Sequence, residues 1–289
     1  MSRHPIERFQ APNTITAGQP LKDLFDRKLV GLIGQSFAAV YPEFDLRSFK
    51  RRAIDGLEDG TMSQRSAHIA DALAAALPDD FREASQLLIA ALGPEETRGE
   101  GHGLRSFFYM PHSSFIARHG EAHFAEGMAA CYELTKCFTS EFCLRPFIVR
   151  HQKRALALLK KWTRDEDHHV RRLCSEGSRP RLPWASRLPA LQADPTLALP
   201  ILEVLKDDEE LYVRRSVANH LGDLCKDHPD WVFDLCERWI EEVASAEESR
   251  RKERHWMIRH AVRLPAKKGD RTALELRKRA GRHRSPSTE

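Results

Sequence analysis

The second half of the chain repeats itself at a spacing of 43 residues. Asp165-Glu-Asp-His-His-Val170-Arg171-Arg172 lines up with Asp208-Glu-Glu-Leu-Tyr-Val213-Arg214-Arg215, and Leu158-Leu159 ahead of the first copy matches Ile201-Leu202 ahead of the second. A fainter third copy, offset by 44, sets Trp256, Arg259 and Ala261 opposite Tyr212, Arg215 and Val217. Helix-pair units of about 40–47 residues are what HEAT-type solenoids use, and such units stack because each has an apolar face to cover. The expected fold is therefore all-α: HEAT-like helical repeats stacked into a curved α-solenoid whose concave face suits an extended partner.

The apolar pattern elsewhere agrees. Leu21 to Tyr41 has apolar residues at close to helical spacing, and further helices are expected at about 45–57, 62–77, 80–92 and 121–137. The stretch 94–119 is less regular, with a loop-like Gly/Glu run at 98–103 and an aromatic cluster at Phe107-Phe108-Tyr109-Met110. No strand alternation persists. The domain reading is a polar N-terminal arm over 1–20, a repeat domain over 21–264 and a basic C-terminal end over 265–289, whose final run from Arg277 reads as a frayed tail. No window approaches the roughly 18 apolar residues of a membrane span, and the polar N-terminus lacks a signal-peptide core. The six cysteines, with no Cys-x-x-Cys pair, read as reduced thiols of a cytoplasmic protein with no metal site and no cofactor.

Charge narrows the function. The net charge of +4 conceals an asymmetry, for residues 145–187 alone hold 12 basic and 4 acidic side chains. Concentrated positive charge implies a polyanion partner such as nucleic acid, against the alternative of a solvated basic face. The candidate phosphate contacts are Arg145, Arg171, Arg172, Arg179, Arg181 and, in the next copy, Arg215.

Two carboxylates stand out against this background. The helix over 163–176 is expected to begin with a capping box from Thr163 and Glu166 and to stop at Gly177. Glu176 would then lie in its last turn, where it opposes the helix dipole by about 0.3–1 kcal/mol. An ion pair with Arg172 would explain it blandly; a catalytic anion beside arginines that hold phosphate would explain it better. The next copy has Asn219 at this place, so the scaffold does not require an acid. Glu141 is the sole acid between Thr139 and Arg164, and the first turn of a helix capped by Ser140 or Thr139 would suit it. Pro146 would kink or end that helix. Trp184, after two prolines on a basic turn, is placed to stack on a sugar or a base unless it simply packs.

The segments Thr139-Ser-Glu-Phe-Cys-Leu-Arg-Pro-Phe147 and His169-Val-Arg-Arg-Leu-Cys-Ser-Glu-Gly-Ser-Arg-Pro-Arg-Leu-Pro-Trp184 resemble the AlkC branch of the AlkC/AlkD-like DNA glycosylases. The resemblance is specific over about 135–225 and looser elsewhere. It implies a monomeric, monofunctional enzyme that removes cationic alkylated bases, 3-methyladenine and in this branch 3-methylcytosine, from kinked double-stranded DNA. It further implies that Glu141 and Glu176 are the active-site carboxylates, that Trp184 lies against the lesion nucleotide, and that Arg172 and Arg179 hold backbone near Asp223. Cys143 and Cys174 stand where a small residue such as alanine is expected. Some members carry an immunoglobulin-like domain after the solenoid, and no strand pattern for one is expected here. The competing reading is a non-catalytic helical-repeat scaffold that binds nucleic acid or protein.

Overall fold

The computed structural model describes residues 3–15, 18–95 and 103–281, and among them every regular element is helical. The residues 98–102 of the expected loop and 282–289 of the expected tail lie outside this set. The chain divides into two compact units, Met1–His151 and Gln152–Glu289.

The first unit holds α1 (Arg27–Ala38), α2 (Leu46–Ile54), α3 (Met62–Ala74), α4 (Phe81–Ala90), α5 (Met110–His119), α6 (Phe124–Thr135) and α7 (Glu141–Arg150). Their starts follow from side-chain caps: Asp26, Asp45, Thr61 and Asp80 each accept a backbone N–H in the first turn. The expected helix from Leu21 thus starts at Arg27 instead, because Asp26 caps it and Leu21–Leu24 forms a separate 3₁₀ turn. The irregular stretch is more ordered than its composition suggests. Gly103–Tyr109 is 3₁₀ and leads into α5, with Phe108 and Tyr109 buried. The N-terminal arm is docked rather than loose: Pro5–Arg8 forms a 3₁₀ turn packed on α1, and His4 Nε2 lies 3.1 Å from the Ala91 carbonyl.

The second unit holds α8 (Gln152–Trp162), α9 (His168–Gly177), α10 (Pro189–Ala193), α11 (Leu199–Leu205), α12 (Leu211–Leu224), α13 (Pro229–Glu242), α14 (Glu248–Ala261), α15 (Arg263–Lys267) and α16 (Arg271–Arg279). The 43-residue repeat becomes helix pairs here: α8 with α9, α11 with α12, α13 with α14. Helix α12 packs between α9 and α14, so the second members form one row. Val170, Val213 and Ile258 are fully buried along it. The basic end is not frayed through Arg279, because Asp270 caps α16 and Ala273 and Leu276 bury themselves against the unit.

The repeated acidic signature turns out to be a staple between copies. Arg171 donates to the carbonyls of Asp165 (3.0 Å) and Glu166 (2.9 Å), and reaches forward to Asp208 (2.6 and 3.0 Å) and Glu209 (3.4 Å). Arg214, 43 residues on, donates to the carbonyls of Asp208 (2.5 Å) and Glu209 (2.8 Å), and reaches forward to Glu253 (3.0 Å). The acids therefore sit in the loops before the helices, not in their first turns. There Asp165 and Asp208 each accept the amide two residues on, at 3.0 and 2.9 Å.

Candidate functional site

Helix α9 presents the distinctive end of the repeat. Its N-cap is Asp167, which accepts from the amides of His169 (2.7 Å) and Val170 (3.4 Å). The expected Thr163–Glu166 capping box does not form, because the Thr163 hydroxyl turns back to the Lys160 carbonyl at 2.7 Å and closes α8. The helix ends at Gly177 with Ser178 as C-cap, and no left-handed glycine is used there.

Glu176 is buried, at 6% exposure, and both carboxylate oxygens have partners. Oε1 accepts from Arg179 at 2.6 Å and lies 3.5 Å from Arg172; Oε2 accepts from the Ser216 hydroxyl of α12 at 2.7 Å. Burial by itself would raise its pKa. The guanidinium groups of Arg172 and Arg179 and the Ser216 hydroxyl outweigh burial and hold the carboxyl below its ordinary value. Glu176 is thus a dehydrated but ionised carboxylate at neutral pH.

Arg179 carries the network onward, donating from Nε to Asp223 at 2.8 Å, and Lys226 reaches the other Asp223 oxygen at 3.0 Å. Asp223 is 3% exposed. Asp223 is thus a buried carboxylate clamped by two cations, and it orients Arg179. The donors of Arg171, another of the expected phosphate contacts, all go to the inter-repeat staple. Arg181 is held bidentate by Asp227 at 2.6 and 2.9 Å, so it meets phosphate only by giving up that pair. Arg172 lies over the Tyr212 ring at 5.1 Å, and Arg215 is exposed to solvent.

The arginine turn ends at Trp184, whose indole is 72% exposed. Its backbone adopts φ 62°, and among the described residues it is the one non-glycine with positive φ. Left-handed backbone costs a bulky residue about 1–2 kcal/mol. The turn is fixed around it by Leu188 N donating to the Pro180 carbonyl at 3.1 Å. The fold thus gives this ring little packing in return for its strained backbone.

Glu141 belongs to the first unit. It is the first residue of α7, follows the N-cap Ser140 and is 5% exposed, so the positive end of the helix supports its charge. Arg145 follows one turn later, 1% exposed. Pro146 does not end α7, which continues to Arg150.

Residues 131–264 match the family described as DNA alkylation repair enzyme. The chain is 38% identical to Pseudomonas fluorescens alkylpurine DNA glycosylase AlkC, solved bound to DNA containing an abasic site analog; the match covers 90% of this chain and 68% of that one, with a TM-score of 0.79. The chain belongs to the AlkC branch of the AlkC/AlkD-like DNA alkylation repair glycosylases. The uncharacterised protein YhaZ of Bacillus subtilis is 36% identical over 261 residues, covering 89% of this chain and 67% of YhaZ.

Sequence reasoning missed two groups in and beside this cluster. Ser216 stands where the first copy has Leu173, and a hydroxyl on a buried apolar stripe was the available signal. Arg263 and His260, which flank Asn219 at 3.1 Å each, carried no signal because the third copy is faint. Among the described residues no group of three His, Cys, Asp or Glu is arranged to hold a metal, and no helix is long and apolar enough to cross a membrane.

Proposed function

We propose that this AlkC-branch protein hydrolyses the N-glycosidic bond of cationic alkylated bases, 3-methyladenine first, in double-stranded DNA, without a strand-cleaving step. The observation that carries this is the ionised, buried Glu176. A carboxyl held below its ordinary pKa is a poor proton donor, which suits a lesion that needs none. N3-alkylation already makes the base a cation, so it departs neutral once the bond to C1′ breaks.

What remains for the protein is to stabilise positive charge growing on the sugar and to orient water toward C1′. Carboxylates do both, one by proximity to the developing cation and one by accepting the water's proton. Glu176 is assigned to one of these tasks, and the resemblance alone assigns Glu141 to the other. The face of Trp184 adds cation–π attraction to the sugar or the charged base. Arg172, Arg179 and Arg215 are assigned to the backbone around the lesion, Arg172 and Arg179 while also keeping Glu176 ionised. The relative AlkC, bound to DNA with an abasic site analog, supports this reading.

The test is chromatography of bases released from methylated duplex DNA. The wild-type chain is expected to release 3-methyladenine, and Glu176→Gln to lose about 10²-fold or more in rate while retaining DNA binding. Equal release by the variant would remove Glu176 from the chemistry. Normal binding with no release by the wild type would leave a binding scaffold.

A further inference from the structure

One position of the repeat changes charge along the row. Glu176 in the first copy becomes Asn219 in the second and Arg263 in the third, at offsets of 43 and 44. The contacts change with it. Glu176 accepts from Ser216 of the next copy; Asn219 accepts from His260, the residue that aligns with Ser216, at 3.1 Å. The same Asn219 oxygen accepts from Arg263 Nη2 at 3.1 Å, and Arg263 Nη1 donates to the His260 carbonyl at 2.6 Å.

Arg263 is therefore held firmly, and only by neutral oxygens. Among the described residues it makes no ion pair, whereas Arg171, Arg179, Arg181, Arg214 and Arg254 each grip a carboxylate. The acid that acts on it through space, Asp223, is already shared by Arg179 and Lys226. Half-burial pushes the Arg263 pKa down and the Arg179 charge pushes it further. His260 does not add to the charge, since burial first, and then Arg263 and Arg215, lower its pKa to about 4. An oriented, partly dehydrated cation with no counter-ion is an anion site awaiting its anion.

We infer that Arg263, aimed by Asn219, is a DNA-phosphate contact that extends the grip of the α9 site along the row to the third repeat. Asn219 is the positioning residue. An acid at that place would fix the same geometry but give Arg263 a carboxylate partner. Arg215, exposed one turn before Asn219 on α12, adds positive charge beside His260.

The identity of the anion rests on the glycosylase reading above, and the experiment separates the two. Binding of the full chain to a duplex with a tetrahydrofuran abasic analogue is measured from 50 to 300 mM KCl. The slope of log K against log salt is expected to shrink by about 1 for Arg263→Gln, with affinity about three- to tenfold lower. Asn219→Asp is expected to match it, because the new carboxylate neutralises the guanidinium without moving it, and Arg263→Lys to retain the wild-type slope. A wild-type slope in both Arg263→Gln and Asn219→Asp overturns the inference even if base release is intact. Absence of base release by the wild type, with the slope still dependent on Arg263, overturns the glycosylase reading and leaves the phosphate contact standing.

Discussion

Trp184 separates what the fold needs from what the site needs. Its ring is exposed and its backbone is left-handed, so the native state carries strain without a packing return. Trp184→Gly removes strain of about 1–2 kcal/mol and costs about 0.5–1 kcal/mol in unfolded-state entropy. Urea unfolding is expected to show no loss of stability, with a gain of up to about 1.5 kcal/mol, while release of 3-methyladenine falls. A loss above 1 kcal/mol would show that the indole packs against the protein, and unchanged release would show that the lesion does not need it. Glu176 has the opposite profile, buried and fully partnered, so its substitution touches structure and chemistry together. Glu176→Gln therefore needs the binding measurement beside the kinetic one.

The helix row explains why the basic region has less free charge than its composition suggests. Arg171 joins one repeat to the next, and Asp208 at its far end is 5% exposed at the side chain. Arg171→Ala would strand that carboxylate, at a cost of about 3–5 kcal/mol. The expected result is a large drop in the urea midpoint with the salt slope of DNA binding unchanged; a reduced slope in folded protein would return Arg171 to the DNA. The repeat itself was readable from sequence because its period, its valines and its arginine pairs recur. Position Glu176 was readable because the second copy breaks the pattern there. The direction of each arginine was not, since Arg171 and Arg172 are adjacent in the chain but point to different neighbours on a helix. Caps failed for a related reason. Thr163, Asp165 and Asp167 all have capping chemistry, and only the path of the α8–α9 turn selects Asp167. Glu141 was singled out by its isolation among bases, and the capping residues before it placed it in the first turn of α7, but neither signal fixes its burial.

Both units carry a fully buried histidine kept neutral, and these, with the half-buried His260, shape how stability responds to acid. His112 is stacked on Phe37 at 5.5 Å between ring centroids, and burial brings its pKa to about 3. His220 donates from Nδ1 to the Ser175 carbonyl at 3.0 Å beside the Glu176 network, and burial outweighs that bond to leave its pKa at about 4. Both folded values lie below the ordinary 6.5, so between 6.5 and 4 the unfolded chain binds protons that the folded chain refuses. Stability is then full above pH 6.5 and falls as pH drops toward 4, each histidine approaching about 1.4 kcal/mol per pH unit. Glu176 acts in a lower window. Its folded pKa is depressed, so its contribution is present above the ordinary carboxylate value of 4.5 and is lost only as pH falls through the folded value. Unfolding measured at pH 7.5, 6.5 and 5.5 should accordingly show little change over the first step and a loss of about 1–3 kcal/mol over the second. His112→Phe, which keeps an aromatic ring in the Phe37 stack and removes the proton site, should make the second step shallower. A flat profile down to pH 5.5 in the wild type would mean that the two imidazoles take up protons in the folded state. A step of equal depth in the variant would locate the acid sensitivity elsewhere than His112.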